Sequence, residues 1–154
     1  MKERAPLSIS VRNLQRALPV NLRRLRKFCA WALPRCLAAN SDAATELRKL
    51  DEVSILLVSD KRMSAIHSEF LGQEGPTDVI TFDHGEIFIS VPTAKANAGT
   101  FKTSLHEELE LYMVHGLLHL NGFDDRTAAQ ARVMGHTQRR ILRAAGKPSP
   151  RHAR

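Results

Sequence analysis

Leu7, Ile9 and Val11 alternate with polar neighbours, which predicts a half-buried first strand. From about Val20 to Leu33, Leu22, Leu25, Cys29 and Ala32 recur at helical spacing. Arg23, Arg24, Arg26 and Lys27 fall on the outer face of that helix, Phe28 and Trp31 read as packing residues, and Pro34 is expected to end it. A second amphipathic stretch runs from Asp42 to Leu50. Val53–Val58 (VSILLV) is a short, branched apolar run, as expected of a central strand. Ser59 and Asp60 then cap a helix with Met63, Ile66 and Phe70 on its inner face, closed by Gly72. The turn-like QEGPTD leads into VITF, DHGE and IFIS, two strands joined at His84-Gly85. A short helix is expected from Ser90 to Ala98, before a loop at Gly99. Ser104 with Glu107 forms a capping box that opens a helix apolar almost all round, and therefore buried. Thr127 with Gln130 opens another, running to about Ala145, with Ala131, Met134, Ile141 and Ala145 inward and Arg132, Arg139, Arg140 and Arg143 outward. Strands and helices interleave around one hairpin, so the pattern predicts a single α+β domain, a small mixed sheet packed by helices.

The chain has 154 residues, enough for one core without disulfides. Residues 1–146 are expected to form the domain and 147–154 a basic, disordered tail. Cys29 and Cys36 read as reduced packing residues, with Pro34 arguing against a shared helix. No long apolar run opens the chain, so neither a signal segment nor a membrane span is expected. Charge is unevenly distributed. Arg4–Ser41 carries eight basic residues and no acid, as does Arg126–Arg154, whereas Asp42–Asp125 holds six basic and fifteen acidic residues. Two cationic ends are the electrostatic signature of a nucleic-acid binder, although two solvated amphipathic helices produce the same pattern.

The candidate chemistry lies in His115–Asp125, HGLLHLNGFDD. Four residues apart on a helix, His115 and His119 share one face, about 40° apart around the axis. Gly122 stands where the helix should end and the chain turn back, which brings Asp125 towards both rings. Two imidazoles and a carboxylate, with one coordination position left open, suit catalytic zinc. The H-x3-H-x5-D spacing matches the long zinc-protease motif, except that Gly116 stands where those proteases carry their glutamate base, so peptidase chemistry is not expected.

PTDVITF with the following GEIFIS, together with HGLLHLNGFDD, resembles the YbeY family of zinc-dependent endoribonucleases. The resemblance runs from about Leu7 to Leu142 in the order of elements and is specific in these two motifs. It implies a zincin-like fold with the metal site on a buried helix and the loop after it. It also implies one zinc per chain, a cytoplasmic setting, action in ribosomal RNA maturation and ribosome quality control, and RNA and the small ribosomal subunit as partners. The family's first two metal ligands fall on His115 and His119, and its third, usually histidine, falls on Asp125. Asp124 is the alternative if the turn shifts by one residue. The family's arginine before the proline-threonine-acid segment aligns with Leu71, so countercharge for phosphate would have to come from the metal and from basic side chains elsewhere.

Other site candidates keep two readings each. Thr77 and Asp78 either line the substrate groove or cap the turn into the next strand. Glu86 either orients a ligand or water or is a surface strand residue, and His84 is either a proton donor at the cleft or an exposed turn histidine. His67, His106, His136 and His152 are assigned to structure or solvent. The first functional hypothesis is a metal-dependent single-strand endoribonuclease, a hydrolase in which metal-activated water attacks phosphate. Its RNA would be held by Arg23, Arg24, Arg26 and Lys27 and by Arg139, Arg140 and Arg143. The alternative is a non-catalytic ribosome assembly factor with a structural zinc.

Overall fold

The second strand organises the molecule, because it is apolar on both faces and must be covered on both. In the computed structural model, which describes residues 4–73, 75 and 77–147, β2 (Glu52–Val58) lies inside a four-stranded sheet of order β1-β2-β4-β3. It pairs in parallel with β1 (Ser8–Asn13) and β4 (Glu86–Ser90), and β4 pairs antiparallel with β3 (Val79–Thr81). The mixed sheet and interleaved helices make the expected α+β fold.

The alternation of β2 divides the core. Val53, Ile55 and Leu57, with Val11, Ile87 and Ile89, join the main cluster beneath α1 (Leu22–Ala38), α5 (Leu105–Leu120) and α6 (Ala128–Ala144). Leu56 and Val58 point the other way, with Ile80, onto Met63 and Ile66 of α3 (Asp60–Leu71). Two further helices, α2 (Glu46–Lys49) and α4 (Val91–Phe101), complete the fold. Both expected capping boxes are formed, at Ser104/Glu107 and Thr127/Gln130, and Gly72 closes α3 with φ +64°.

Several local expectations are corrected. Pro34 does not end α1, which continues to Ala38 and carries both Cys29 and Cys36 on its buried face. Proline removes one helical donor and crowds the preceding turn. Here Arg35 Nη1 donates to the Trp31 carbonyl at 2.8 Å within that turn, and the helix is held by packing on both sides of it. The helix expected over Asp42–Leu50 is confined to four residues. Phe70 is 61% exposed rather than inward, and its ring meets the edge of Phe82. Gly99 lies inside α4, whose left-handed cap is Lys102. Lys147, expected in the tail, is held by Glu110 at 3.0 Å, and its N–H bonds the Leu142 carbonyl. The rest of the expected tail, from 148 onward and including His152, lies outside the described residues. No helix among the described residues is long and apolar enough to cross a membrane.

Candidate metal centre

Helix α5 is buried along nearly its whole length, which fixes His115 and His119 against the core rather than leaving them on a free surface. Its approach to the sheet depends on Gly116. A Cβ at that position would lie 2.9 Å from both Cδ1 and Cγ2 of Ile87 and 3.1 Å from Thr81 Oγ1. This contact explains sterically why no glutamate follows the first histidine, since the position faces strands instead of solvent.

At the C-terminal end of α5 the chain is clamped by Asn121, a fully buried residue. Its Nδ2 donates to the Cys36 carbonyl at 2.8 Å, its Oδ1 accepts from Thr45 Oγ1 at 2.8 Å, and its carbonyl accepts from Asn40 Nδ2 at 2.9 Å. Gly122 follows at φ +89°, a left-handed backbone that glycine adopts without cost. The chain therefore reverses, and Asp125 returns to the two rings.

The three groups converge. His115 Nε2 and His119 Nε2 are 3.0 Å apart, and Asp125 Oδ2 lies 3.7 and 3.6 Å from them. Tetrahedral zinc with bonds near 2.0–2.1 Å holds its donors roughly 3.3–3.4 Å apart, so the triangle already has the size of one face of that polyhedron. The ring orientations agree. His115 Nδ1 is 2.9 Å from Gln138 Oε1, and His119 Nδ1 is 3.0 Å from the Phe123 carbonyl. Both partners accept, so each Nδ1 carries the proton and each Nε2 presents a lone pair to the same point. Two lone pairs facing each other at 3.0 Å repel unless a cation lies between them. Burial, followed by the neighbouring His119, lowers His115 to about 4, which keeps it neutral and ready to ligate at ordinary pH. Donors of two nitrogens and one carboxylate oxygen suit zinc, with a fourth position open to solvent or substrate. Asp124 is turned to other uses: Oδ1 accepts from Asp125 N at 2.8 Å, and Oδ2 meets Arg126 Nε at 3.2 Å. The cysteines are not in this cluster, since Cys29 and Cys36 are packed into the main hydrophobic core on α1.

The histidine pair opens into a cleft of about 490 Å³. One wall is apolar, with Leu71, Val79, Ile80 and Phe82, and the other is the ligand loop from Gly122 to Arg126. Thr77 lines the cleft, whereas Asp78 is buried and accepts from Val79 N at 2.8 Å, as a turn-to-strand cap does. His84 and Glu86 are not brought to the cleft lining. They pair with one another at 2.5 Å on the exposed hairpin, where His84 stacks on Phe82. His67, assigned to structure or solvent from sequence, does line the cleft, with Nδ1 3.0 Å from the Gly75 carbonyl.

Neither basic cluster lines the cleft. Arg24 is committed to the fully buried Glu110 at 2.6 Å, and Arg26 Nη2 donates to the Val11 carbonyl at 3.0 Å. Arg23, Lys27, Arg140 and Arg143 are exposed, with Arg139 half-buried. Arg126, which the sequence reading passed over, lines the cleft. Gln138 was also missed, although a signal existed: it lies four residues after Met134 and three before Ile141, on the inward stripe of α6. Asn121 offered no such signal, because its partners are 76 to 85 residues distant in sequence.

Comparisons with known proteins bear on the family and the fold. The family model for "Endoribonuclease YbeY" matches residues 10–146. A relative of that name from Parabacteroides distasonis is 34% identical over 107 residues, covering 65% of this chain and 75% of its own length. Another, from Moorella thermoacetica, is 39% identical over 114 residues, covering 62% of this chain and 73% of the relative. Among solved structures, that of TM1509 from Thermotoga maritima aligns with a TM-score of 0.59 and 22% identity, covering 90% of this chain and 91% of that one, and supports the fold. With the family model spanning residues 10–146 and a relative of that name 34% identical over 75% of its own length, the chain belongs to the endoribonuclease YbeY family of hydrolases.

Proposed function

We propose that this chain is a zinc-dependent endoribonuclease acting on single-stranded RNA in ribosomal RNA maturation and ribosome quality control, in the cytoplasm and in contact with the small ribosomal subunit. The observation that carries the reading is the convergence of His115 Nε2, His119 Nε2 and Asp125 Oδ2 within 3.0–3.7 Å at the wall of an open cleft. Family membership supplies the substrate class.

His115 and His119 would bind the ion through Nε2, oriented by Gln138 and the Phe123 carbonyl, and Asp125 would complete the set. A divalent ion at such a site supplies Lewis acidity towards a phosphoryl oxygen and makes water nucleophilic near neutral pH. The chain's own part is positional. The buried α5 keeps the ligands from moving as charge develops, and the Asn121 clamp holds the loop that delivers Asp125. The apolar wall of Leu71, Ile80 and Phe82 suits unstacked bases better than a duplex backbone, which favours single strands. Gly116 removes the position a peptidase uses for its base, and of the described residues lining the cleft outside the ligand set, His67 and Asp83 are the groups left to hold or move a proton.

The test is cleavage of end-labelled single-stranded RNA and of ribosomal RNA by purified protein, with and without chelator, alongside Asp125→Ala. Cleavage that chelator removes, zinc restores and Asp125→Ala lacks is expected. Stoichiometric zinc with no cleavage of any RNA would overturn the nuclease reading in favour of an assembly factor with a structural metal.

A further inference from the structure

We propose that Arg126 is the phosphate-gripping residue of the metal cleft, a role that rests on the nuclease reading above. The cleft has a charge problem. Asp83 and Asp124 line it beside the metal ligand Asp125, so an entering polyanion depends on the ion and on whatever basic side chain stands near it. Among the described residues that line it, Arg126 is the one lysine or arginine. The cationic faces of α1 and α6 do not solve this, being outside the lining and partly engaged with Glu110 and the Val11 carbonyl.

The geometry of Arg126 fits the task. Its side chain is 86% exposed, so the guanidinium is hydrated, charged and accessible to a ligand. Asp124 Oδ2 holds it through Nε at 3.2 Å, which leaves the two terminal nitrogens of the fork for a phosphodiester. The same Asp124 accepts the backbone N–H of Asp125 through Oδ1 at 2.8 Å. One carboxylate therefore fixes both the turn that delivers the metal ligand and the guanidinium beside it. On the other side, Thr127 is the N-cap of α6 with a complete capping box, so the backbone flanking Arg126 is held at both ends. Arg126 directly follows Asp125 in the chain and lines the same cleft as His115 and His119.

The experiment uses zinc-loaded protein and a short, fluorescein-labelled 2′-O-methyl oligouridylate, a single-stranded probe whose integrity is checked on a denaturing gel after each titration. Anisotropy is read against salt concentration for the parent, Arg126→Ala and Arg126→Lys, together with zinc content and cleavage of unmodified RNA. Arg126→Ala should bind about tenfold more weakly at low salt, the order expected of one charge-assisted contact. Its log–log salt slope should be shallower by about 0.7, one phosphate on a single strand. Arg126→Lys should restore the slope while recovering only part of the affinity, because a point charge replaces a fork. Zinc should stay at one per chain in all three. Unchanged affinity and slope in Arg126→Ala, with a parent that binds and cleaves, would overturn the inference and leave the nuclease reading intact. Loss of zinc in Arg126→Ala would overturn it by showing that the residue supports the ligand loop instead. A parent that neither binds nor cleaves would overturn the nuclease reading and this inference with it.

Discussion

Replacing Gly116 by alanine sets two effects of opposite sign against each other. In a free helix the change stabilises by about 1 kcal/mol, because alanine has the higher helix propensity. Here the added Cβ would lie 2.9 Å from two atoms of Ile87 and 3.1 Å from Thr81 Oγ1. Ile87 is fully buried in the centre of the sheet, and its branched side chain has few rotamers to escape into. Overpacking of this kind costs about 1–3 kcal/mol, and a stiff, enclosed neighbour argues for the upper half of that range. The net expectation is a loss of about 1–2 kcal/mol, which in a chain of this length lowers Tm by roughly 2–8 °C. Thermal unfolding in the presence of chelator, which removes metal linkage from the comparison, reads this directly. Gly116→Ala should also weaken zinc binding, since α5 must move a few tenths of an ångström and carries both histidines. A stabilised Gly116→Ala with unchanged zinc affinity would refute the claim that α5 is pressed onto β3 and β4 at this point.

Three further outcomes are expected. Gln138→Leu removes the acceptor that orients His115, and competition with a chelating dye should show zinc affinity reduced about 10–100-fold. Arg24→Ala should cost about 1–3 kcal/mol in urea unfolding, because it strips a partner from the fully buried Glu110, whereas Arg23→Ala on the exposed face should stay within about 0.5 kcal/mol. In chelated protein, His115 titrates near 4 when folded and near 6.5 when unfolded, so the unfolded state takes up the proton first. Stability should therefore fall as pH drops from about 6.5 to about 4, and urea midpoints across that range should show a weaker decline in His115→Gln.

Features of fold and site that depend on local chemistry were legible in the sequence. Capping boxes at Ser104 and Thr127, the left-handed stop at Gly72 and the alternation through Val53–Val58 each rest on neighbouring residues. His115 and His119 were legible for the same reason, since helical spacing alone puts them on one face. Features set by distant partners were not. The continuation of α1 past Pro34 is imposed by packing, and local propensity argues against it. Glu108 and Glu110 stand near the start of α5, where acids are commonly solvated, yet both are buried, Glu110 between Arg24 and Lys147. Phe70 sits on the apolar stripe of α3 but stays exposed, with its ring against Phe82. The orienting partners of the histidines come from 4 and 23 residues away, and the Asn121 clamp from farther still. Arg126 carries no motif, and only the folded cleft gives it a role.

The central claim, that His115, His119 and Asp125 form one metal site, is tested most directly by zinc analysis joined to X-ray absorption on protein purified without chelator. One zinc per chain is expected, with a shell of nitrogen and oxygen donors near 2.0–2.2 Å and no sulfur. Asp125→His should keep that stoichiometry and Asp125→Ala should lose it. A sulfur shell near 2.3 Å, or full zinc retention in Asp125→Ala, would contradict the site described above.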